Sequence, residues 1–444
     1  MRALLRVRRQ NPESARRYIP RHILRITDFT LLLHWPWVPQ PTDITDTGTI
    51  MSTTTKPVLI AGAGVCSLLL AHSLRLSGIP IKIFERDASF VFRAQGYRLR
   101  LSSEGLDAIE SALDADTFQK FWDKCGKTSG SGLAQFNAVT GERIPTQVDP
   151  RKGLVSRGGK VVGVARGDMR KIFAEGYEEH IEWSKEVTGY ELTDDGVRAT
   201  FADGTKSVEG SLLIGGEGIR SKIAKQLSGG KLKVYDTGAR GIHGQAHTPA
   251  FKGLGEGVFI LRDDTRANGA VSLITNIRPD SMDDPSVEFG WTMVGHPGVI
   301  RPPNEDYTIV GKPAADVAKS LTKDWHPRFR PLVDDMNEPE AAFWKITCSS
   351  PSGVPEWPNE PRVTVIGDAA HSMTPAAGLG ANTAVRDAAL LGKLLRDAGG
   401  CAPGVTAAYE KEMRVYGSEA VHQSYSAAVG QFGIKIDEDT TPTV

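Results

Sequence analysis

Val363–Leu395 reads VTVIGDAAHSMTPAAGLGANTAVRDAALLGKLL, and how this stretch is read decides the fold. Four β-favouring residues run into Gly367-Asp368, and a loop carrying Pro375, Gly378 and Gly380 follows. From Ala381 the period changes: Ala384, Ala388, Leu391 and Leu395 recur at three and four, which is one face of a helix. An acid thus ends a strand, and a glycine-rich turn feeds the first amides of a helix. That arrangement makes a pocket for an electron-rich, partly anionic group. A second unit of the same kind lies far upstream, in KPVLIAGAGVCSLLLAHSLRLSG at Lys56–Gly78. Two such turns, so distant in sequence, need a fold that brings both to one large cofactor.

At 444 residues the chain exceeds the usual limit of a single core, so two domains are expected. Lys plus Arg equals Asp plus Glu, at 53 each. No basic field asks for nucleic acid, and no charge run suggests an interaction tail. Cys66, Cys125, Cys348 and Cys401 show no metal spacing, so no metal site is expected. Cys66 falls inside the first glycine turn, which favours a reduced, cytoplasmic protein over a disulfide-bonded secreted one. No apolar run approaches the roughly 18–20 residues of a membrane span.

Residues 1–55 differ from the rest. Eight arginines fall in the first 25 positions, opposed only by Glu13. An Arg-rich, acid-poor start can be a mitochondrial targeting segment. Met51, however, begins MSTTTKPVLIAGAG, a short polar lead directly into the first strand. The extension is therefore expected to be disordered or dispensable.

The pattern divides the remainder into a cofactor domain in three parts (56–127, 164–230 and 356–400), an excursion at 128–163, a sheet-based substrate domain at 231–355, and a helical segment at 401–444. Val58–Ala61, a helix over Val65–Leu76 and Ile81–Phe84 form a βαβ unit. A helix begins near Ser102 or Ser103, and another at Arg166. Glu191–Phe201 reads as a hairpin and Ser211–Gly215 as a buried strand. Gly257–Leu261, Ala270–Ile277 and Glu288–Val294 read as strands, and Pro339–Trp344 as a short helix opened by its proline. Thr406–Val429 reads as helix, and the last ten residues as loose.

In the first turn, Gly62 permits the tight bend and Gly64 lets a pyrophosphate approach the backbone. Ser67 stands where a third glycine would bring helix and strand together, so slightly looser packing is expected there. Glu85, at the end of the second strand, suits the two hydroxyls of an adenosine ribose and would repel a 2′-phosphate. Arg86 follows it and joins the cofactor-binding set. A third, weaker signal is IGGEGIRSKI at Ile214–Ile223, where a strand again breaks at glycines before a helix.

Together these residues resemble the single-component flavin-dependent monooxygenases of the para-hydroxybenzoate hydroxylase type. GAGVCS with Glu85 resembles that family's GxGxxG and acid, GGEGIRS its DG fingerprint, and GDAAHSMTPAAGLGAN with Asp387 its GD fingerprint. The resemblance covers about residues 56–400, most weakly over 231–350. It implies an α/β fold: an FAD-binding Rossmann-like domain of the glutathione-reductase type, an inserted sheet-based substrate domain and C-terminal helices. It also implies FAD as cofactor and NADPH or NADH as co-substrate; a monomer or homodimer is expected. The activity implied is hydroxylation or epoxidation of a small-to-medium organic, typically aromatic, substrate with O2 through a flavin C4a-hydroperoxide. By the same resemblance Asp368 takes a ribityl hydroxyl and Gly367 admits the pyrophosphate. Pro375 lies at the reactive edge of the ring, while Gly378, Gly380 and Asn382 hold its pyrimidine end. Arg98 and Arg100 are the arginine pair after the second strand, with Arg100 the expected pyrophosphate contact. Arg166 comes over the flavin from a helix start. Gly216, Glu217 and Gly218 serve the pyrophosphate and the nicotinamide donor. Glu217 replaces that fingerprint's aspartate, keeping the charge but moving it by about 1 Å.

In this reading Pro375 and Arg166 shape the flavin environment, and no side chain acts as a nucleophile. His371 is structural. His243, His247 and His296 are surface or substrate-lining positions, and Trp291 with Met293 contact either substrate or core. A flavin-dependent reductase or oxidase and a non-catalytic flavoprotein are the alternatives. A halogenase lacks its tryptophan-rich signature here, and a plain dehydrogenase has no use for the late Asp368/Gly380 arrangement.

Overall fold

Val58–Ala61, Ile81–Phe84, Leu212–Gly215 and Val363–Val365 are short apolar runs buried along almost their whole length, as strands covered on both faces must be. With Ile181–Glu182 they form a five-stranded parallel sheet. Its order is Val363–Val365, Leu212–Gly215, Val58–Ala61, Ile81–Phe84, Ile181–Glu182. The computed structural model of the chain describes residues 56–90, 98–129, 133–145, 155–278 and 282–444. The expectations for residues 1–55 lie outside these. Because the strands are parallel, their carboxyl ends share one edge. Gly62, Gly216 and Gly367 stand just past three neighbouring strands and so come side by side there.

Helix Val65–Leu76 packs on helix Gly380–Asp397. Cys66 Sγ donates to the Ala384 carbonyl at 2.8 Å, and about two turns further along both helices Gly392 abuts Ser73. The two helices are therefore parallel and start at the same edge. Ala388, Leu391 and Leu395 are buried on the inner face of the later one, with Ala384 partly buried.

A second sheet has seven strands, in the order Ala342–Ser349, Val234–His247, Glu288–Gly295, Val271–Ile277, Gly257–Asp263, Leu133–Asn137, Arg143–Ile144. Neighbours pair antiparallel except Gly257–Asp263 with Leu133–Asn137. One face carries its own core, including Ile242, Leu261, Phe289, Trp291 and Met293, closed by helix Lys312–Thr322. Trp291 and Met293 are thus core residues, and Trp291 Nε1 donates to the Leu332 carbonyl at 2.7 Å. A small antiparallel sheet of Arg98–Leu101, Lys160–Ala165 and Gly126–Ser129 links the layers. Thr128 Oγ1 joins it to Asn276 Oδ1 at 2.7 Å. The architecture is α/β: a Rossmann-like domain, an inserted sheet domain and a C-terminal helix, Val405–Phe432, packed on both.

Three local expectations are corrected. Pro339 opens only a single 3-10 turn, Glu338–Glu340, and the β-favouring AFWKITCS then runs as strand Ala342–Ser349. Val234–His247, the longest strand described, was not expected as one. The last ten residues are tied down rather than loose: Ile436 is buried, the Asp236 amide donates to the Pro442 carbonyl, and the Val444 amide donates to that of Val234. One buried apolar side chain and the backbone pairing to strand Val234–His247 outweigh the Asp/Thr composition of the tail.

Candidate functional site

The edge shared by the three glycine turns is where the chain leaves donors unspent. Ser102, Asp114 and Ser221 each cap the helix that follows them, accepting from the amides of Gly105, Thr117 and Ala224. Helices Val65–Leu76 and Gly380–Asp397 have neither a side-chain cap nor an acid in the first turn. Their first amides and the positive end of each helix dipole are left for an anionic or electron-rich partner. The glycines leave room for it. A Cβ on Gly64 would meet nothing nearer than the Gly216 carbonyl at 3.9 Å, and one on Gly380 nothing nearer than Met373 Cγ at 3.6 Å. Gly62, at φ +85°, has no such room: its Cβ would lie 2.7 Å from the Gly216 carbonyl oxygen. Here glycine is required by both the bend and the contact between the first and second turns. A pyrophosphate and ring system spanning both helix tips fits this cradle, which is the shape of FAD.

Glu85, buried at the end of its strand, accepts from the Ala63 amide at 2.7 Å through Oε2 and from the Asp87 amide at 3.0 Å through Oε1. Each oxygen keeps a lone pair for a ribose hydroxyl. Arg170 lies behind it, 2% exposed, donating from Nε to the Ala63 carbonyl at 2.9 Å with its guanidinium 4.0 Å from Glu85 Oε2. Sequence reasoning missed Arg170. Its signal was its place one helical turn after Arg166 in VARGDMRKIF.

Asp368 begins the short helix after Gly367, and its side chain faces the open edge. Protein walls nevertheless crowd its carboxyl and push its pKa up, against the pull of His371 and Arg166. Arg166, the first residue of helix Arg166–Ala174, is thus brought within electrostatic reach of Asp368. Behind this turn Asp387, fully buried, accepts from the Gly367 amide at 2.6 Å, from His371 Nε2 at 2.7 Å and from the Tyr416 hydroxyl at 2.6 Å. His371 is itself buried beside that carboxylate. Asp368→Ala should weaken FAD binding about tenfold or more, the worth of one hydrogen bond to a charged group. Flavin fluorescence titration would measure it, and unchanged affinity would mean that Asp368 does not hold the cofactor.

Gly378, at φ +63°, packs against Arg100, whose Nε would lie 3.3 Å from a Cβ placed there. Pro375 is exposed at the tip of the same loop. The Asn382 amide is spent on backbone: Nδ2 donates to the Arg100 and Gly378 carbonyls at 3.0 Å, and Oδ1 accepts from Ser102 at 2.8 Å. It shapes the loop rather than offering its side chain to a ligand. Arg98 is turned to the Gly163 carbonyl at 2.7 Å, and burial with the nearby Arg278 brings its pKa down to about 10. Glu217 Oε1 accepts from the Ile223 amide at 2.9 Å, capping the next helix, and burial raises its carboxyl. Gly216 fits over Ser67, Gly218 turns at φ +81°, and Arg86 is exposed, 3.9 Å from Asp87.

Across from the Pro375 loop lies the second face of the seven-stranded sheet. Ala376 and Trp344 both pack against the buried cluster of Ala239, Val294 and Ile346 at that face. Trp344 stacks on His243 with ring centroids 4.8 Å apart at 11°, and His243 Nδ1 meets Thr292 Oγ1 at 3.0 Å. Burial brings His243 down to about 4, so the imidazole is neutral at pH 7. The loop is clamped from behind, where Thr374 and Ser424 of the C-terminal helix exchange hydrogen bonds at 2.7–3.0 Å. Among the described residues no group of three metal-ligating side chains occurs, and no helix is long and apolar enough to cross a membrane. All four cysteines are free.

Known proteins are similar to this chain in sequence and fold. The chain is 31% identical over 377 residues to a dual O-methyltransferase/FAD-dependent monooxygenase of Phaeosphaeria nodorum, covering 76% of this chain and 40% of that protein. A similar dual protein of Cercospora beticola is 29% identical over 86% of this chain and 47% of its own length. The chain therefore spans less than half the length of the first curated relatives it matches. An FAD-dependent monooxygenase of Trichoderma harzianum matches over most of both chains, at 27% identity, 85% of this chain and 90% of that one. Among solved structures, a Photorhabdus luminescens protein assigned as an FAD-containing monooxygenase superposes with a TM-score of 0.68 at 25% identity, over 86% of this chain and all of that one. The FAD binding domain family matches residues 55–424, taking in all three glycine turns and the inserted sheet, and this chain belongs to that family.

Proposed function

We propose that the chain is an FAD-dependent monooxygenase of the para-hydroxybenzoate hydroxylase type. It takes electrons from NADPH or NADH and adds one atom of O2 to a small-to-medium, planar organic substrate. The observation that carries the reading is the pair of parallel, uncapped helices opening beside Asp368, opposite a sheet face with a stacked aromatic pair. Bound FAD would supply hydride acceptance and oxygen activation. The chain's own residues would do the rest. Glu85 and Asp368 would hold hydroxyls of the cofactor, and the first amides of Gly380–Asp397 would favour negative charge on the ring. The neutral His243 and Trp344 would offer a flat, weakly hydrated surface to an aromatic substrate. The sheet domain would keep bulk water from the ring edge near Pro375. Four unpaired cysteines support a cytoplasmic setting.

Purified chain with FAD should consume NAD(P)H faster when its substrate is present, and product formed under 18O2 should gain one labelled atom. Screening planar phenolic and polyketide-like compounds supplies the substrate. Substrate oxidation without label in the product would replace this reading with an oxidase or reductase. Protein that binds no FAD would end it.

A further inference from the structure

Gly433, at φ +61°, turns the chain off the C-terminal helix. The residues that follow alternate as a strand does: Ile434 and Ile436 are buried, and Lys435 between them is exposed. The two isoleucines enter different clusters. Ile434 joins Val294, Ile346 and Phe432, and against that cluster pack Ala376 of the Pro375 loop and Trp344 of the sheet face. Ile436 joins Tyr235, Cys348 and Val421, and against that cluster packs Met373 of the same loop. Pro375 itself is exposed, and its turn, Pro375–Ala377, contains no buried residue. The loop is thus seated through residues on either side of Pro375, and one short stretch of chain completes both seats. Met373 Cγ also lies 3.6 Å from where a Cβ on Gly380 would stand, so the second seat reaches the first turn of the uncapped helix.

The stretch is fastened to several separate elements. The Ile436 amide donates to the Tyr425 hydroxyl of the C-terminal helix at 3.0 Å. The Glu438 carbonyl accepts from the Tyr235 hydroxyl at 3.0 Å, and its carboxylate accepts from the Ser352 amide at 2.8 Å and the Ser352 hydroxyl at 2.9 Å. Tyr235 lies at the start of the long strand of the inserted sheet, whereas Ser352 lies where the chain returns from that sheet towards Val363–Val365. Pro442 and Val444 then pair with Asp236 and Val234. The edge strand Ala342–Ser349 adds its own tie to the loop, since the Ser349 amide donates to the Ser372 carbonyl at 2.7 Å.

We propose that Ile434–Val444 is a strap that holds the Pro375 loop in its cofactor-binding conformation, with Ile434 and Ile436 as positioning residues for the flavin ring. The proposal rests on the reading above, which places the ring edge near Pro375. A loop that keeps its shape before the cofactor arrives binds without an ordering cost. One that holds that shape about a fifth of the time binds about fivefold more weakly. Because the Ile434 cluster also carries Trp344, one element sets the flavin loop and the substrate face at a fixed mutual position.

The test is FAD titration of the full chain by flavin fluorescence, with iodide quenching of the bound flavin and thermal unfolding, for wild type, Ile436→Ala, Glu438→Ala and Leu261→Ala. Leu261 is buried in the core on the sheet's other face, so Leu261→Ala opens a comparable cavity away from the strap. Ile436→Ala and Leu261→Ala should both lower the melting temperature. Only Ile436→Ala should weaken FAD binding, by about fivefold or more, and admit iodide to the flavin. Glu438→Ala removes two hydrogen bonds at a partly exposed position without opening a core cavity, and it keeps the test decisive if Ile436→Ala does not fold. It should weaken FAD binding about threefold. Strap variants that bind and shield FAD as wild type does, or a Leu261→Ala that loses it equally, would overturn the proposal. The two readings fail distinguishably. A wild-type chain that binds no FAD ends both, whereas wild type and strap variants that bind it alike end only the strap.

Discussion

Asp387→Ala should destabilise the protein by about 4 kcal/mol and strip it of FAD. Asp387 is fully buried and is the shared acceptor of the Gly367 amide, His371 Nε2 and the Tyr416 hydroxyl. Removing it leaves these donors facing an apolar cavity, each owing its desolvation cost with nothing in return. The cofactor suffers because Gly367 immediately precedes Asp368, so the loss of one anchor frees the turn that presents the other. The effect should also depend on pH. Burial works against a charged His371, but the Asp387 carboxylate beside it prevails, and the imidazole pKa is raised above its usual 6.5. A raised folded-state pKa means stability that is fully present below 6.5 and fades as pH rises through the folded value. In the variant the burial, which disfavours the charge, is opposed only by the smaller pulls of Asp368 and a backbone hydrogen bond. The gap in unfolding free energy between wild type and variant should therefore be widest near pH 6 and narrow towards pH 9. Denaturant unfolding at the two pH values measures it. A loss under about 1 kcal/mol, or a gap that widens with pH, would show that Asp387 does not anchor the turn.

How much of this could be read in the sequence follows from what a motif encodes. The three glycine turns and their strands were legible because positive φ and close backbone approach exclude other residues, and because Val, Ile and Leu runs mark doubly covered strands. Strand Val234–His247 was not. Its buried positions pass from Tyr235, Thr237 and Ala239 to Ile242 and Ala246 across a register shift between Asp236 and Arg240. That irregularity breaks the alternation by which strands are recognised. Its glycines conceal it further, since Gly241 lies under Trp344 and Gly244 under Trp291, where size rather than β-propensity decides the residue. Within the site, the motifs located backbone turns but not the inward partners of their side chains. Asn382 bonds Arg100 from 282 positions away, and Arg170 reaches Ala63 from 107. Only the folded chain brings those pairs together.

Gly216→Ala is the second large effect, and it bears on the one irregular position in the first turn. A Cβ on Gly216 would lie 2.2 Å from Ser67 Oγ, 3.2 Å from the Ala61 carbonyl oxygen and 3.3 Å from Ile366 Cγ1. All three neighbours are buried, so little can move, and overpacking of this kind costs about 2–3 kcal/mol. The shortest contact, however, is with a hydroxyl that has no hydrogen-bond partner. Ser67→Gly alone should be near neutral, because losing an unsatisfied buried hydroxyl offsets the roughly 1 kcal/mol that glycine costs inside a helix. Combined with Gly216→Ala it should restore most of the lost stability, giving a favourable coupling of about 1–2 kcal/mol in a double-mutant cycle. Thermal unfolding of the four proteins, with FAD titration of each, reads both stability and site. Strictly additive losses would mean that the two positions do not share the space. A favourable coupling would account for the serine: it is tolerated where a third glycine is expected because the facing turn supplies the missing glycine from the other side.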